Sequence, residues 1–142
     1  MQLTRYTDYG LRILMYLSAA PEGYSASISE VCETFDISRN HVNKIVHQLG
    51  KEGFIVTQRG KGGGFRLARS PADIGIGDVV RKLEANLQPV DCLQPSTCVL
   101  LPSCQLKHVL ADAVNAFMAE LDRYALADMV APADVVKLFS EL

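Results

Sequence analysis

Long apolar runs are absent from this 142-residue chain, and so is any group of side chains suited to catalysis. No stretch approaches the roughly 20 apolar residues that span a bilayer, which argues against a membrane partner. The opening, M-Q-L-T-R-Y-T-D-Y-G, is polar throughout and lacks the apolar core and small-residue cleavage site of a signal peptide. A cytoplasmic location, and with it a reducing compartment, is therefore expected. Paired carboxylates and a Ser/His/Asp set are missing. The glycines of residues 60–64 do not follow a strand and open a helix as a nucleotide-binding loop must. An enzyme is not expected.

Cysteine is scarce as well: there are four, and Cys92, Cys98 and Cys104 crowd into one short segment while Cys32 stands alone. In a reducing compartment such residues are ligands, redox groups or buried fillers rather than structural disulfides. Aromatics make up only 7% of the chain, but the apolar fraction of 49% is that of an ordered protein with one real core.

The net charge of −2 hides a division. Residues 1–84 hold eleven Lys and Arg against nine Asp and Glu, whereas residues 85–142 hold three against seven. Within 39–69 the basic residues Arg39, Lys44, Lys51, Arg59, Lys61, Arg66 and Arg69 face Glu52 alone. A polyanion responds to local positive charge, because neutralised phosphates release their counterions. An acidic whole is no obstacle to DNA binding.

The periodicity predicts a mainly α chain with a small β wing. Residues 5–19 read as a helix with Leu11, Leu14, Met15 and Leu17 on a broad apolar face, stopped by Pro21 and Gly23. Ser27-Ile28-Ser29-Glu30 is a capping-box pattern that opens a short helix, with Cys32 expected in its core. A tight turn at Phe35-Asp36-Ile37 follows. Ser38 then caps a helix over 39–51 that carries Val42, Ile45, Val46 and Leu49 on one side. Two short helices joined by so tight a turn are a helix-turn-helix. Residues 54–57 and 65–67 read as strands around the glycine-rich turn 59–64, which makes a wing, and 76–83 as another helix. Residues 86–104 have no period and are expected to be a loop. Residues 105–130 read as one long helix with a stripe of Leu106, Leu110, Ala113, Phe117, Leu121 and Tyr124. That stripe is broader than a small winged domain can cover, which points to a partner helix in a homodimer. The expected division is a DNA-binding domain at 1–84, a cysteine loop at 85–104, and a dimerisation helix with its tail at 105–142.

On the helix that would enter the major groove, Ser38, Arg39, Asn40, His41, Asn43 and Lys44 are the candidates, with His41 facing solvent or DNA. Arg suits guanine and Asn suits adenine. Arg59, Lys61 and Arg66 of the wing suit phosphates or a narrow groove. The partner would be double-stranded DNA.

The cysteines read C-x₅-C-x₅-C, broken by Pro95 and Pro102. Structural zinc knuckles use C-x₂₋₄-C and four ligands, so these gaps are too long. They suit a loop around an iron–sulfur cluster, with one iron left without a cysteine and open to a small molecule. Zinc, a thiol–disulfide switch and a small electron carrier are the competing readings.

M-Q-L-T-R-Y-T-D-Y-G-L-R, I-S-R-N-H-V-N-K-I-V-H-Q-L, R-G-K-G-G-G-F-R-L and the cysteine triad followed by Q-L-K together resemble the NsrR/IscR/RirA family of winged-helix iron–sulfur regulators. The likeness is greatest to its nitric-oxide-sensing branch and spans almost the whole chain. It implies a homodimer on a palindromic operator, one [4Fe-4S] cluster per subunit, and repression of nitrosative-stress genes until nitric oxide destroys the cluster. It also implies that Asp8 of the other subunit is the fourth ligand, with Arg12 beside it. Held this way, the cluster would fix the spacing of the two reader helices. The family's [2Fe-2S] branch places a histidine where this chain has Lys107, with His108 one residue late. That disfavours, without removing, a [2Fe-2S] cluster and an iron-status signal.

Overall fold

The computed structural model describes residues 1–92, 98–131 and 133–141; Pro95, one of the two prolines that break the cysteine triad, lies outside them. Helix α1 (Arg5–Ala19) starts at Thr4, whose side chain accepts the Thr7 N–H. Its buried stripe of Ile13, Leu14 and Leu17 faces the core. Helix α2 (Ile28–Phe35) begins with the expected capping box: Glu30 N–H donates to Ser27 Oγ at 3.1 Å and Ser27 N–H to Glu30 Oε2 at 3.3 Å. Asp36 ends it in the left-handed region at φ 53°, a conformation that Asp tolerates better than most residues. That kink makes the tight turn into α3 (Arg39–Lys51), whose Val42, Ile45, Val46 and Leu49 are all buried.

Strands β1 (Ile55–Gln58) and β2 (Gly64–Leu67) pair antiparallel with Ile55 opposite Leu67 and Gln58 opposite Gly64. Ala26 adds a bridge to Phe65, exchanging two backbone hydrogen bonds of 2.9 Å. This ties the wing to the start of the helix-turn-helix. Gly60 and Gly62 turn the loop at φ 98° and 77°, where a side chain would be strained. Helix α4 (Ile76–Leu83) then buries Ile76, Val79, Val80 and Leu83.

The expected single helix over 105–130 is divided. Helix α5 (Gln105–Leu121) ends at Asp122, and α6 (Leu126–Val130) begins four residues later. The break is fixed from outside. Arg81 of α4 grips the Asp122 carboxylate with two hydrogen bonds of 2.7 and 2.6 Å, which holds that carboxyl below its usual pKa range. Ile76 N–H donates to Tyr124 O at 3.0 Å and Leu126 N–H to Ile74 O at 2.8 Å. A continuous helix would forfeit these bonds, and it would also carry Leu126 away from the core in which it is fully buried. Periodicity alone cannot see such a kink, because the apolar steps continue across it.

Helix α7 (Ala133–Ser140) packs back on α1 and α2 through Phe139, whose ring meets Tyr16 at 5.4 Å and Phe35 at 6.2 Å, both edge-on. The core thus draws on α1 to α4, the wing and α6. Leu126→Ala removes a fully buried side chain from it and is expected to cost about 2–5 kcal/mol. Urea unfolding of the full chain measures this; a loss below about 1 kcal/mol would show that α6 is not part of the core.

Candidate nucleic-acid interface and cysteine loop

Helix α3 presents its polar residues away from the core because its apolar ones fill the opposite side. Ser38, Arg39, Asn40, Asn43 and Lys44 are exposed. Ser38 is occupied as the helix cap, accepting the His41 N–H at 3.3 Å. Arg39 donates to Ser29 Oγ at 3.0 Å, which anchors its guanidinium beside the start of α2. His41, read from sequence as facing solvent or DNA, is half-buried. Its ring lies 6.0 Å from Tyr6 and 5.4 Å from Tyr9, edge-on to the latter. Tyr6 also donates its hydroxyl to Lys44 O at 3.0 Å. Arg59, Lys61 and Arg66 are all exposed on the wing. The face therefore offers side chains for base edges on α3 and cations for phosphates on the wing.

Asp8 and Arg12 form a two-pronged ion pair one turn apart on α1, with both bonds at 2.9 Å. The guanidinium also sits 5.8 Å from the Tyr9 ring centre. Both side chains are about half exposed, so the pair itself contributes little to stability.

The thiols sit between α4 and α5. Cys92 and Cys104 are half-buried and Cys98 is exposed. Cys92 lines a cavity of about 520 Å³ together with Leu101, Lys107, His108, Leu110 and Val114. Among the described residues no three His, Cys, Asp or Glu side chains converge as a metal site. Lys107 donates its ammonium to Leu101 O at 3.0 Å, pinning the 3-10 turn Leu101–Ser103 onto α5. The position where an imidazole ligand would stand thus carries a cation with a structural task. The sequence reading did not single out Glu84, which ends α4 at the root of this loop. Its carboxylate accepts from Thr4 N–H and Thr4 Oγ1, each at 3.2 Å, and from Thr7 Oγ1. A lone acidic residue after a helix gives no sign of such partners in sequence.

A tightly turned helix pair, a cationic glycine wing and a helical C-terminal extension define a winged-helix DNA-binding regulator of transcription. Residues 3–132 match the Rrf2 family model, described as an iron-dependent transcriptional regulator, and the chain belongs to that family. It is similar to the HTH-type transcriptional regulator NsrR of Bacillus subtilis (strain 168), at 46% identity over 141 residues and 97% of each chain. Two solved structures share the fold. CymR, the global cysteine regulator of B. subtilis, superposes with a TM-score of 0.74 at 24% identity, covering 92% of this chain and 97% of that one. T. potens IscR does so with a TM-score of 0.73 at 26% identity, covering 94% of this chain and 88% of that one. The family resemblance read from the motifs is borne out, and the protein is a regulator rather than an enzyme. No helix among the described residues is long and apolar enough to cross a membrane.

The cap of α3 gives this site its first test. Ser38→Ala should destabilise the fold by about 0.5–2 kcal/mol, and Ser38→Asp should restore most of it. Equal losses in the two variants, measured by urea unfolding, would show that the hydroxyl does not act as the cap.

Proposed function

We propose that this chain is a homodimeric repressor that binds an operator through α3 and the wing, and that its cysteine loop holds an iron–sulfur cluster through which nitric oxide is sensed. The observation that carries the reading is the set of three thiols, and no other cysteine, on the one loop between α4 and α5. The 46% identity to a regulator named NsrR supports it.

The donor set fits such a group by its chemistry. Thiolates are soft ligands suited to iron–sulfur clusters, and Cys92 lines a cavity with room beside it, while Cys104 is half-buried at the start of α5. Cys92, Cys98 and Cys104 would hold the cluster, with Asp8 of the second subunit as the carboxylate ligand. When bound, the cluster supplies iron at which nitric oxide reacts; [4Fe-4S] is the form proposed. Lys107 disfavours the [2Fe-2S] form, because an ammonium bonded to Leu101 O is neither free nor able to act as an imidazole. Arg12 orients the Asp8 carboxylate by gripping both oxygens, so releasing Asp8 to a ligand means breaking or sharing that grip.

Dimerisation is supported by α5. Met118 is its one buried residue, while Leu106 and Val109 are 63% and 61% exposed. A second copy of α5 would cover these apolar side chains. Two reader helices related by a twofold axis then suit a palindrome.

Anaerobically purified protein is expected to be straw-brown, with about four irons and four sulfides per chain. Cys92→Ala, Cys98→Ala and Cys104→Ala should each abolish this. Asp8→Ala should leave fold, dimer and iron content nearly intact but shift the visible spectrum. Colourless protein with stoichiometric zinc would overturn the reading, and two irons per chain with imidazole signals would replace it with the [2Fe-2S] form.

The DNA face has its own test. Arg39→Ala should cost about 1–3 kcal/mol on the cognate duplex and relax preference at one position. Lys61→Ala should weaken all sequences alike and lower the salt slope by about one. Identical behaviour of the two variants on cognate and random DNA would sink the division into base reader and phosphate clamp.

A further inference from the structure

Helix α1 is gripped on two sides within its first two turns. On one side is Glu84, the residue at which α4 passes into the cysteine loop. Its carboxylate accepts from the Thr4 backbone N–H, the Thr4 hydroxyl and the Thr7 hydroxyl, and Thr7 is fully buried. On the other side is the reader helix. Tyr6 holds the Lys44 carbonyl at 3.0 Å, and the rings of Tyr6 and Tyr9 close on His41. Between the two grips lies Gly10, where an added Cβ would overlap Leu83 Cδ1 and lie 3.7 Å from Ile45 Cγ2. The first turns of α1 therefore cannot move relative to α4 or α3 without losing bonds on one side or packing on the other.

From this geometry we infer that Glu84 is a positioning residue for DNA recognition, linking the root of the cysteine loop to the reader helix of the same subunit through α1. The inference rests on the proposed role of the cysteine loop and deepens it: the loop needs no partner subunit to reach α3. A displacement at residues 85–92 pulls first on Glu84, because that side chain is the last polar anchor before the loop. Thr4 and Thr7 carry the displacement into α1, and Tyr6 and Tyr9 carry it into α3 at Lys44 and His41. These contacts fall on the reader helix within one turn of Arg39, Asn40 and Asn43. A small rotation there misaims the side chains that meet base edges, so specificity falls more than general affinity.

The test is a double-mutant cycle on the full chain, purified anaerobically, with a duplex enriched from genomic fragments by wild-type binding. Cys92→Ala should weaken wild-type binding to this duplex within the 5–150-fold range usual for coupled sites. In a Glu84→Ala background the same cysteine substitution should change affinity by no more than about twofold. Amide exchange in α3 should respond to Cys92→Ala in the wild type and not in the Glu84→Ala protein. Tyr6→Phe, which removes only the hydroxyl on the Lys44 carbonyl, provides a second break in the path. It should lower the ratio in the same direction, and it serves where Glu84→Ala does not fold. A Glu84 that merely stabilises the fold would weaken both members of each pair alike and leave the ratio as in wild type, which overturns the inference alone. If Cys92→Ala has no effect even in the wild-type background, the proposed role of the loop fails and the inference falls with it.

Discussion

The crossing of α1 over α3 and α4 at Gly10 is the constraint on which the rest of this molecule depends. A Cβ added there would force the Leu83 side chain of α4 to shift and would touch Ile45 of α3, so the glycine lets the three helices approach closely. Close approach puts Thr4 and Thr7 within reach of Glu84, and Tyr6 and Tyr9 against the reader helix. It also leaves one face of α1 outward, where Asp8 and Arg12 pair. A single helix thus carries the backing of the DNA reader, the anchor of the cysteine loop and the carboxylate proposed to reach the other subunit.

Charge is laid out on the same plan. The exposed cations of 39–69 gather on α3 and the wing, and the acidic surplus lies beyond residue 84. Much of that surplus is spent internally: Asp122 holds Arg81, Glu120 holds Arg123, and Asp128 caps α6 by accepting the Ala125 N–H. The weakly acidic total therefore says little about the field a DNA duplex meets, which is set by the local face.

Much of this was legible in the sequence. The capping box at Ser27 and Glu30, the cap at Ser38 and the buried stripe of α3 fall where spacing placed them, since caps and helical period are local signals. The wing was legible for the same reason, as its glycines mark a turn that few other residues make. What escaped depends on contacts far along the chain. The kink at Asp122 is imposed by Arg81, 41 residues away, and Glu84 meets Thr4 across 80 residues. His41 reads as one more polar residue on a reader helix, and only the fold shows two tyrosines closing on it. The carboxylate proposed as the fourth ligand lies beyond spacing altogether, because Asp8 pairs with Arg12 within one subunit and nothing local marks it for another.

In the account proposed here, the state of the cysteine loop sets the pose of the reader helix. The most direct measurement follows binding to one genomic duplex in a single anaerobic preparation, before and after stepwise addition of nitric oxide, with the visible spectrum recorded in parallel. The account predicts that the loss of the brown colour and the loss of specific binding run together, while weak binding to random DNA persists. Specific binding that outlasts complete bleaching would contradict it.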